Sequence, residues 1–151
     1  MKSVCLLCCE RVLSDLKGPI SLISVMQKIE LSSLPGIGLA IPSDAVGPTA
    51  WAIFAVWQPD DDERNREFTQ WFQILWPDGK EFAKSPLKFI TGEFGYSQNF
   101  LSINAMPFGQ RGKVAVRSWI EENGKPITET SEYTIDVEHK FVSLEGGMPT
   151  T

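Results

Sequence analysis

The acidic run Asp60-Asp61-Asp62-Glu63 is the densest group of possible metal ligands in the sequence. Calcium binds roughly six to eight oxygen atoms, and loops rich in carboxylates can supply several of them. Such sites collect ligands from at least two loops, whereas this run is a single stretch that two arginines follow within three residues. Asp60, Asp61 and Asp62 are therefore weak metal candidates, and a solvated, internally neutralised loop is the main interpretation.

Four of the five tryptophans could form a binding surface. Trp51 and Trp57 are six residues apart in one apolar run, so they share a face if the run is a strand. Trp71 lies on the less apolar face of its segment, and Trp119 points away from the valines and isoleucine of its own. Because tryptophan presents a large area at low entropic cost, an exposed set would bind a protein or a glycan. The alternative is that these rings pack in the core.

Catalytic patterns are weak. The single histidine, His139, is the only imidazole base, and it falls near the end of the last predicted strand. The sequence has no Gly-x-Ser-x-Gly elbow, phosphate-binding loop or dinucleotide fingerprint. We expect a protein without enzyme activity or cofactor. A hydrolase that uses two carboxylates is the less favoured alternative, since only spatial separation defines such a pair.

Three cysteines, Cys5, Cys8 and Cys9, lie within the first nine residues. An odd, local cluster does not indicate a disulfide framework. Cys5 and Cys8 form a Cys-x-x-Cys pattern, but residues three apart on a strand face opposite ways. The cysteines are therefore interpreted as small apolar strand residues.

The charge pattern bounds the possible partners. Nineteen acidic against fourteen basic residues give a net charge of −5, and no basic stripe occurs, so nucleic acid and anionic lipid are disfavoured. The apolar run at residues 4–9 is shorter than the roughly 7–15 residues of a secretory signal. The longest other apolar stretch, residues 50–57, is far below the roughly 20 residues of a membrane span. We expect a cytoplasmic protein.

Alternating apolar and polar residues predict strands along most of the chain. The expected strands are residues 4–13, 20–29, 50–58, 68–76, 81–85, 87–94, 100–108, 113–121 and 127–137. The first two could pair as a hairpin, and the link at residues 30–48 is long enough to cross between two sheets. Pro77-Asp78-Gly79-Lys80 predicts a turn, and Asn123-Gly124 predicts a hairpin with positive φ at both positions.

These elements predict an all-β protein, an antiparallel β-sandwich of about seven to nine strands. The length suits one domain, which we place at residues 1–139, followed by a flexible tail at residues 140–151.

The chain also resembles a family of small bacterial proteins defined only as a domain of unknown function. The segments that carry this resemblance are Cys8-Cys9-Glu10-Arg11-Val12, Ile20-Ser21-Leu22-Ile23-Ser24-Val25, Trp76-Pro77-Asp78-Gly79, and Trp119, Asn123-Gly124 and Tyr133-Thr134-Ile135 in the closing hairpin. The resemblance implies a β-sandwich of immunoglobulin-like or C2-like type. It implies no activity for any residue.

Taken together, the patterns predict a non-catalytic interaction module that binds a protein partner, or a second copy of itself, through an aromatic-rich sheet face or an edge strand. A sandwich that binds glycan or calcium is the alternative.

Overall fold

The computed structural model describes residues 1–14, 20–33 and 41–141. Within these ranges the chain is all β, apart from one 3-10 turn at Asp61–Glu63. The strands are β1 (Lys2–Leu13), β2 (Ser21–Val25), β3 (Lys28–Ser33), β4 (Val46–Gly47), β5 (Trp51–Gln58), β6 (Glu67–Leu75), β7 (Glu81–Ile90), β8 (Ser97–Ile103), β9 (Met106–Pro107), β10 (Gly112–Glu122), β11 (Lys125–Pro126) and β12 (Ser131–Phe141).

The strands form two large sheets and one small one. Sheet A has the order β2-β1-β5-β8, and sheet B has the order β3-β12-β10-β6-β7, with β11 beside β10. The pair β4-β9 forms the third sheet. Buried side chains of sheets A and B belong to one hydrophobic cluster, so the inner faces of the two sheets share a core.

Strand β5 is the most deeply buried strand of sheet A. It pairs with β1 on one side and β8 on the other, and its residues from Trp51 to Ala55 are all buried. Ile53 and Ala55 point into the shared core with Trp51 and Trp57. The strand is apolar on both faces, a pattern typical of a central strand.

The two strongest turn predictions are confirmed. Asn123 and Gly124 have φ values of 52° and 77°, and they join β10 to β11 through the pair Glu122 and Lys125. Gly79 has a φ of 87°, and its amide donates to the Trp76 carbonyl at 2.9 Å. Both turns need backbone conformations that glycine or asparagine adopts at little cost.

The predicted strand at residues 20–29 divides between the two sheets. β2 pairs antiparallel with β1, which confirms the first hairpin, whereas β3 joins sheet B and runs parallel to β12. Between them, the Met26 amide donates to the Cys8 carbonyl at 2.8 Å, and the Gln27 carbonyl accepts from the Asp136 amide at 2.9 Å. The chain thus changes sheets at these two residues, and the prediction of purely antiparallel pairing is wrong for β3 and β12.

Pro86 lies at a second difference between the predicted and the observed strands. The segments 81–85 and 87–94 were predicted as two strands, yet one strand, β7 (Glu81–Ile90), runs through Pro86. β7 is the outermost strand of sheet B, where a missing amide hydrogen need not interrupt a ladder between two neighbours.

Three further predictions differ in detail. The strand expected at residues 100–108 is divided into β8 and β9. Alternation along residues 127–137 places Ile127 on the same face as Tyr133, Ile135 and Val137, whereas Ile127 is 37% exposed. The last strand, predicted at residues 127–137, spans Ser131–Phe141, and the remainder of the expected tail lies outside the described residues.

A buried polar network connects the two sheets inside the apolar core. Gln70 of β6 is fully buried, and its amide nitrogen donates to Ser118 Oγ of β10 at 2.8 Å. Asn99 of β8 in sheet A donates to Gln70 Oε1 at 2.7 Å. Ser118 Oγ in turn donates to the Trp71 carbonyl at 2.9 Å. Gln70, the polar exception on an apolar strand face, therefore fixes how β8 lies over β6.

The substitution Asn99→Ala tests this network. It removes the donor to Gln70 Oε1 and leaves a buried acceptor unpaired, which should lower the free energy of unfolding by about 1–3 kcal/mol. The control Gln98→Ala removes an exposed amide from the opposite face of the same strand, and we expect a change within about 0.5 kcal/mol. Urea unfolding of both variants checks this, and equal losses would contradict the role given to Asn99.

Candidate functional site

The outer face of sheet B brings aromatic and charged side chains into adjacent cross-strand rows. On β6 the residues that alternate with Trp71 are buried, so Trp71 and Gln73 point outward. The register places Trp71 opposite Trp119 of β10, and Gln73 opposite both Arg117 of β10 and Lys84 of β7. Directly opposed residues share a sheet face, so all five side chains meet on the solvent side.

Two tryptophan rings form the centre of this face. The Trp71 and Trp119 centroids are 6.3 Å apart with an interplanar angle of 20°, so the rings lie nearly parallel. The Lys84 ammonium lies 4.4 Å from the Trp71 centroid and 5.1 Å from the Trp119 centroid. Such a cation–π contact is worth about 0.5–1 kcal/mol at an exposed site. Both rings are half-buried, so part of each faces solvent.

The Glu121 carboxylate contacts the edge of the ring pair through a hydrogen bond. Trp119 Nε1 donates to Glu121 Oε1 at 3.0 Å. This hydrogen bond is the main cause of a lowered pKa of the Glu121 carboxyl. The Trp71 indole N–H contributes next, although it falls short of regular hydrogen-bond geometry, and the charge of Lys84 adds to the effect. We call these four residues, Trp71, Trp119, Lys84 and Glu121, the tryptophan platform.

An open groove of about 550 Å³ runs beside the platform. Its lining consists of Gln73, Arg117, Trp119, Glu121, Pro126, Thr130 and Glu132. Arg117 Nε donates to Glu132 Oε2 of the neighbouring strand at 2.7 Å, which restrains the guanidinium. The groove thus combines one aromatic wall with several hydrogen-bonding groups, an arrangement suited to binding rather than to covalent chemistry.

The other two candidate tryptophans lie elsewhere. Trp51 and Trp57 are 2% and 1% exposed and belong to the shared core, so the expectation that they face solvent is wrong. Trp51 Nε1 donates to the Ala105 carbonyl at 2.9 Å, while Trp57 Nε1 has no partner within the described residues. Both faces of β5 are apolar, and alternation alone does not tell which of two apolar faces points inward.

The acidic loop pairs with the start of the chain. The Met1 amino group lies 2.9 Å from Asp60 Oδ2 and 2.6 Å from Glu63 Oε2. Glu63 Oε2 also accepts from the Asp60 amide at 2.9 Å, so these carboxylates stabilise the turn. Within residues 1–14, 20–33 and 41–141, no group of three or more His, Cys, Asp or Glu side chains could hold a metal ion. The candidates Asp60, Asp61 and Asp62 are thus not brought together as ligands.

The groups most suited to catalysis are tied to structural partners. His139 Nε2 lies 2.6 Å from the Phe108 carbonyl, a pairing in which the imidazole nitrogen donates its proton. Cys8 is fully buried, and burial strongly raises the pKa of its thiol, which opposes formation of a nucleophilic thiolate. Cys5, Cys8 and Cys9 are all free.

Two platform residues, Glu121 and Lys84, and the groove residue Arg117 were absent from the sequence-based candidates. Glu121 and Arg117 are two residues either side of Trp119, so their position on the same strand face was available from alternation. The position of Lys84 above both rings could not be predicted from alternation, because it depends on the register of β7 against β6.

Comparisons with family models, with curated proteins and with solved structures found no match to this chain. The resemblance to a family of small bacterial proteins stays a prediction. In the part of the chain that the structure describes, no helix is long and apolar enough to cross a membrane.

The lowered pKa of Glu121 gives a direct test of the platform. Because the folded-state pKa lies below the unfolded one, the contact contributes stability above the unfolded-state pKa and loses it as pH falls through the folded-state value. Trp119→Phe removes the main donor, so the pKa of Glu121 should rise toward its ordinary value. Trp76→Phe, at a ring packed edge-on against Phe82, is the control.

Carbon-detected NMR titration of the Glu121 carboxyl measures both variants. Identical pKa values in the parent protein and Trp119→Phe would show that the indole does not hold this carboxylate.

Proposed function

We propose that the protein acts by binding another protein through the outer face of sheet B, with the tryptophan platform at the centre of the contact. The observation that carries this proposal is the ring pair itself: Trp71 and Trp119 lie nearly parallel on the solvent side of a sheet, 6.3 Å apart. The cross-strand ring pair stabilises the sheet, but the alternate positions of the same strands already supply the core, so the solvent side of both rings is large aromatic surface open to a partner.

The chemistry of the surrounding residues supports a protein ligand. Tryptophan and arginine are the residue types that most often dominate binding energy at protein interfaces, and Arg117 lies in the row next to the rings. Lys84, Arg117, Glu121 and Glu132 contribute two charges of each sign, which suits a partner with a mixed polar rim. The platform is also held in place before binding by Glu121 and Lys84, which lowers the entropy lost on association.

Glycan binding is the second candidate, and the groove beside Trp119 favours it. One ring edge, an amide at Gln73 and a carboxylate at Glu121 converge there. However, the Lys84 ammonium lies over both rings, so a sugar stacking on that ring face would have to displace it. A protein partner can instead contact the ring edges and leave Lys84 in place.

Two finer assignments belong to the same proposal. We place the fold among β-sandwiches of immunoglobulin-like or C2-like type, supported by two sheets whose inner faces share one core. We also place the protein in the cytoplasm, supported by three free cysteines, since reducing compartments keep thiols unpaired.

Affinity capture from the native host tests the proposal, with the immobilised protein, Trp119→Ala and the control Thr134→Ala. Thr134 is an exposed residue of β12 on the same sheet face, outside the platform and the groove. Loss of a tryptophan at the centre of an interface costs about 2 kcal/mol or more, so the affinity for the captured partner should fall at least about 30-fold in Trp119→Ala only.

The captured partner is then purified and its dissociation constant measured against all three proteins. Equal affinities would contradict the proposal. A tryptophan emission shift with a panel of soluble glycans, lost in Trp119→Ala, would favour the glycan candidate instead.

A further inference from the structure

The loop between β7 and β8 presents large apolar side chains to solvent. Phe94 is 82% exposed, the highest value among the large apolar residues that the structure describes. Ile90, at the end of β7, is 69% exposed, and Tyr96, just before β8, is 58% exposed. Single exposed apolar residues are ordinary on a protein surface, but three of this size within seven residues are a concentration typical of a contact site. We call Ile90, Phe94 and Tyr96 the apolar loop tip.

Hydrogen bonds hold this loop in a defined conformation. Thr91 is 1% exposed, and its hydroxyl donates to the Glu63 carbonyl at 2.5 Å. Arg64 Nη1 donates to the Gly95 carbonyl at 2.7 Å, and Gly95 has a φ of 77°. Because these bonds fix the backbone on both sides of Phe94 before any contact is made, binding through this ring costs little loop entropy.

Carboxylates border the apolar loop tip. Glu93 belongs to the loop, and Asp61 and Asp62 belong to the 3-10 turn that Thr91 contacts through Glu63. We call these three exposed residues, Asp61, Asp62 and Glu93, the rim carboxylates. None of them has an ion-pair partner in the part of the chain that the structure describes.

The arginines of this region leave the rim anionic. Arg66 pairs with Glu122, and Arg64 donates to a neutral carbonyl, so its charge offsets only one of the three rim carboxylates. A surface of this sign attracts lysine and arginine side chains and repels anionic lipid. The charge pattern therefore favours a protein partner with a basic surface over a membrane.

The loop lies within reach of a partner bound at the tryptophan platform. Ile90 and Lys84 of the platform are six residues apart on β7 and both exposed, so they share the outer face of sheet B. Six residues of strand span about 20 Å. One side of a standard interface covers about 800 Å², which is a patch about 28 Å across. One partner therefore has the size to cover the platform and contact the loop.

We propose that the protein partner carries an apolar pocket edged by lysine or arginine side chains, and that Phe94 inserts into this pocket. This description of the partner rests on the proposed function, since it concerns the protein that the tryptophan platform binds. An aromatic ring that enters a pocket is typical of an interface hot spot, and flanking residues such as Ile90 and Tyr96 exclude water from it. The rim carboxylates steer the basic edge of the pocket toward the ring.

Alanine substitutions separate the loop from the platform. In Phe94→Ala the affinity for the purified partner should fall about 10-fold to 150-fold, the loss expected when one phenylalanine side chain is no longer buried. Because Phe94 is largely exposed, the variant should unfold in urea like the parent protein. Val46→Ala is the control, at an apolar residue that is 45% exposed on β4 of the third sheet. Trp119→Ala, measured against the same partner, tests the platform.

Surface plasmon resonance at low and high salt concentration tests the rim. Asp61→Asn/Glu93→Gln removes two of the rim carboxylates, so association with the partner should slow and become less sensitive to salt. Glu10→Gln/Asp44→Asn makes the same change in charge at two exposed residues outside the loop and its rim, and it should associate like the parent protein.

A photocrosslinker in the loop gives a measurement that does not depend on the platform. Phe94→p-benzoylphenylalanine, expressed in the native host, should cross-link to the same partner protein on irradiation. Val46→p-benzoylphenylalanine carries the same group away from the loop and should not.

Three results would overturn the inference. One is an affinity of Phe94→Ala equal to that of the parent protein, and another is the absence of any cross-linked protein from position 94. The third is binding of the parent protein to phosphatidylcholine vesicles that is lost in Phe94→Ala, which would assign the loop to a lipid surface. An unchanged affinity in Trp119→Ala beside a loss in Phe94→Ala would instead contradict the role of the platform and leave the Phe94 pocket standing.

Discussion

The two-residue period of a β-strand is the constraint on which this structure depends. On β6, Phe68, Gln70 and Phe72 enter the core, so Trp71 has to leave it. On β10, Ser118 and Ile120 enter the core, so Trp119 points outward. Because β6 and β10 are paired with Trp71 opposite Trp119, the two outward-pointing rings lie side by side. The tryptophan platform is in this sense a consequence of how the core is filled.

The sequence predicted the strands and turns better than it predicted which strands pair in each sheet. The turn at Gly79 and the hairpin at Asn123 were predictable, because each depends on local backbone conformations that few residues adopt. The change of sheet at Met26 was not, since apolar alternation continues through it and says nothing about which sheet a strand joins. The parallel pairing of β3 with β12 depends on contacts about one hundred residues apart in sequence, as between Met26 and Tyr133.

The same division holds for the candidate site. Trp71 was assigned to the less apolar face of its segment and Trp119 to the face opposite the valines and isoleucine, and both rings are half-buried on the outer face of sheet B. Trp51 and Trp57 lie on a strand with two apolar faces, so their direction could be decided only by the sheet that covers them. The neighbours that orient the exposed pair, Lys84 above all, come from a strand whose register the sequence does not reveal.

Pro86 has a consequence for how this protein can associate. It lies in the outermost strand of sheet B, and Lys84 and Lys88 flank it on the same strand. An incoming strand would find no amide hydrogen at the proline, so the ladder that it began would be interrupted there. Growth by strand addition is therefore obstructed at this edge, which disfavours open-ended fibres there. Contacts between sheet faces carry no such risk, because a face, once covered by its partner, offers no template for another chain.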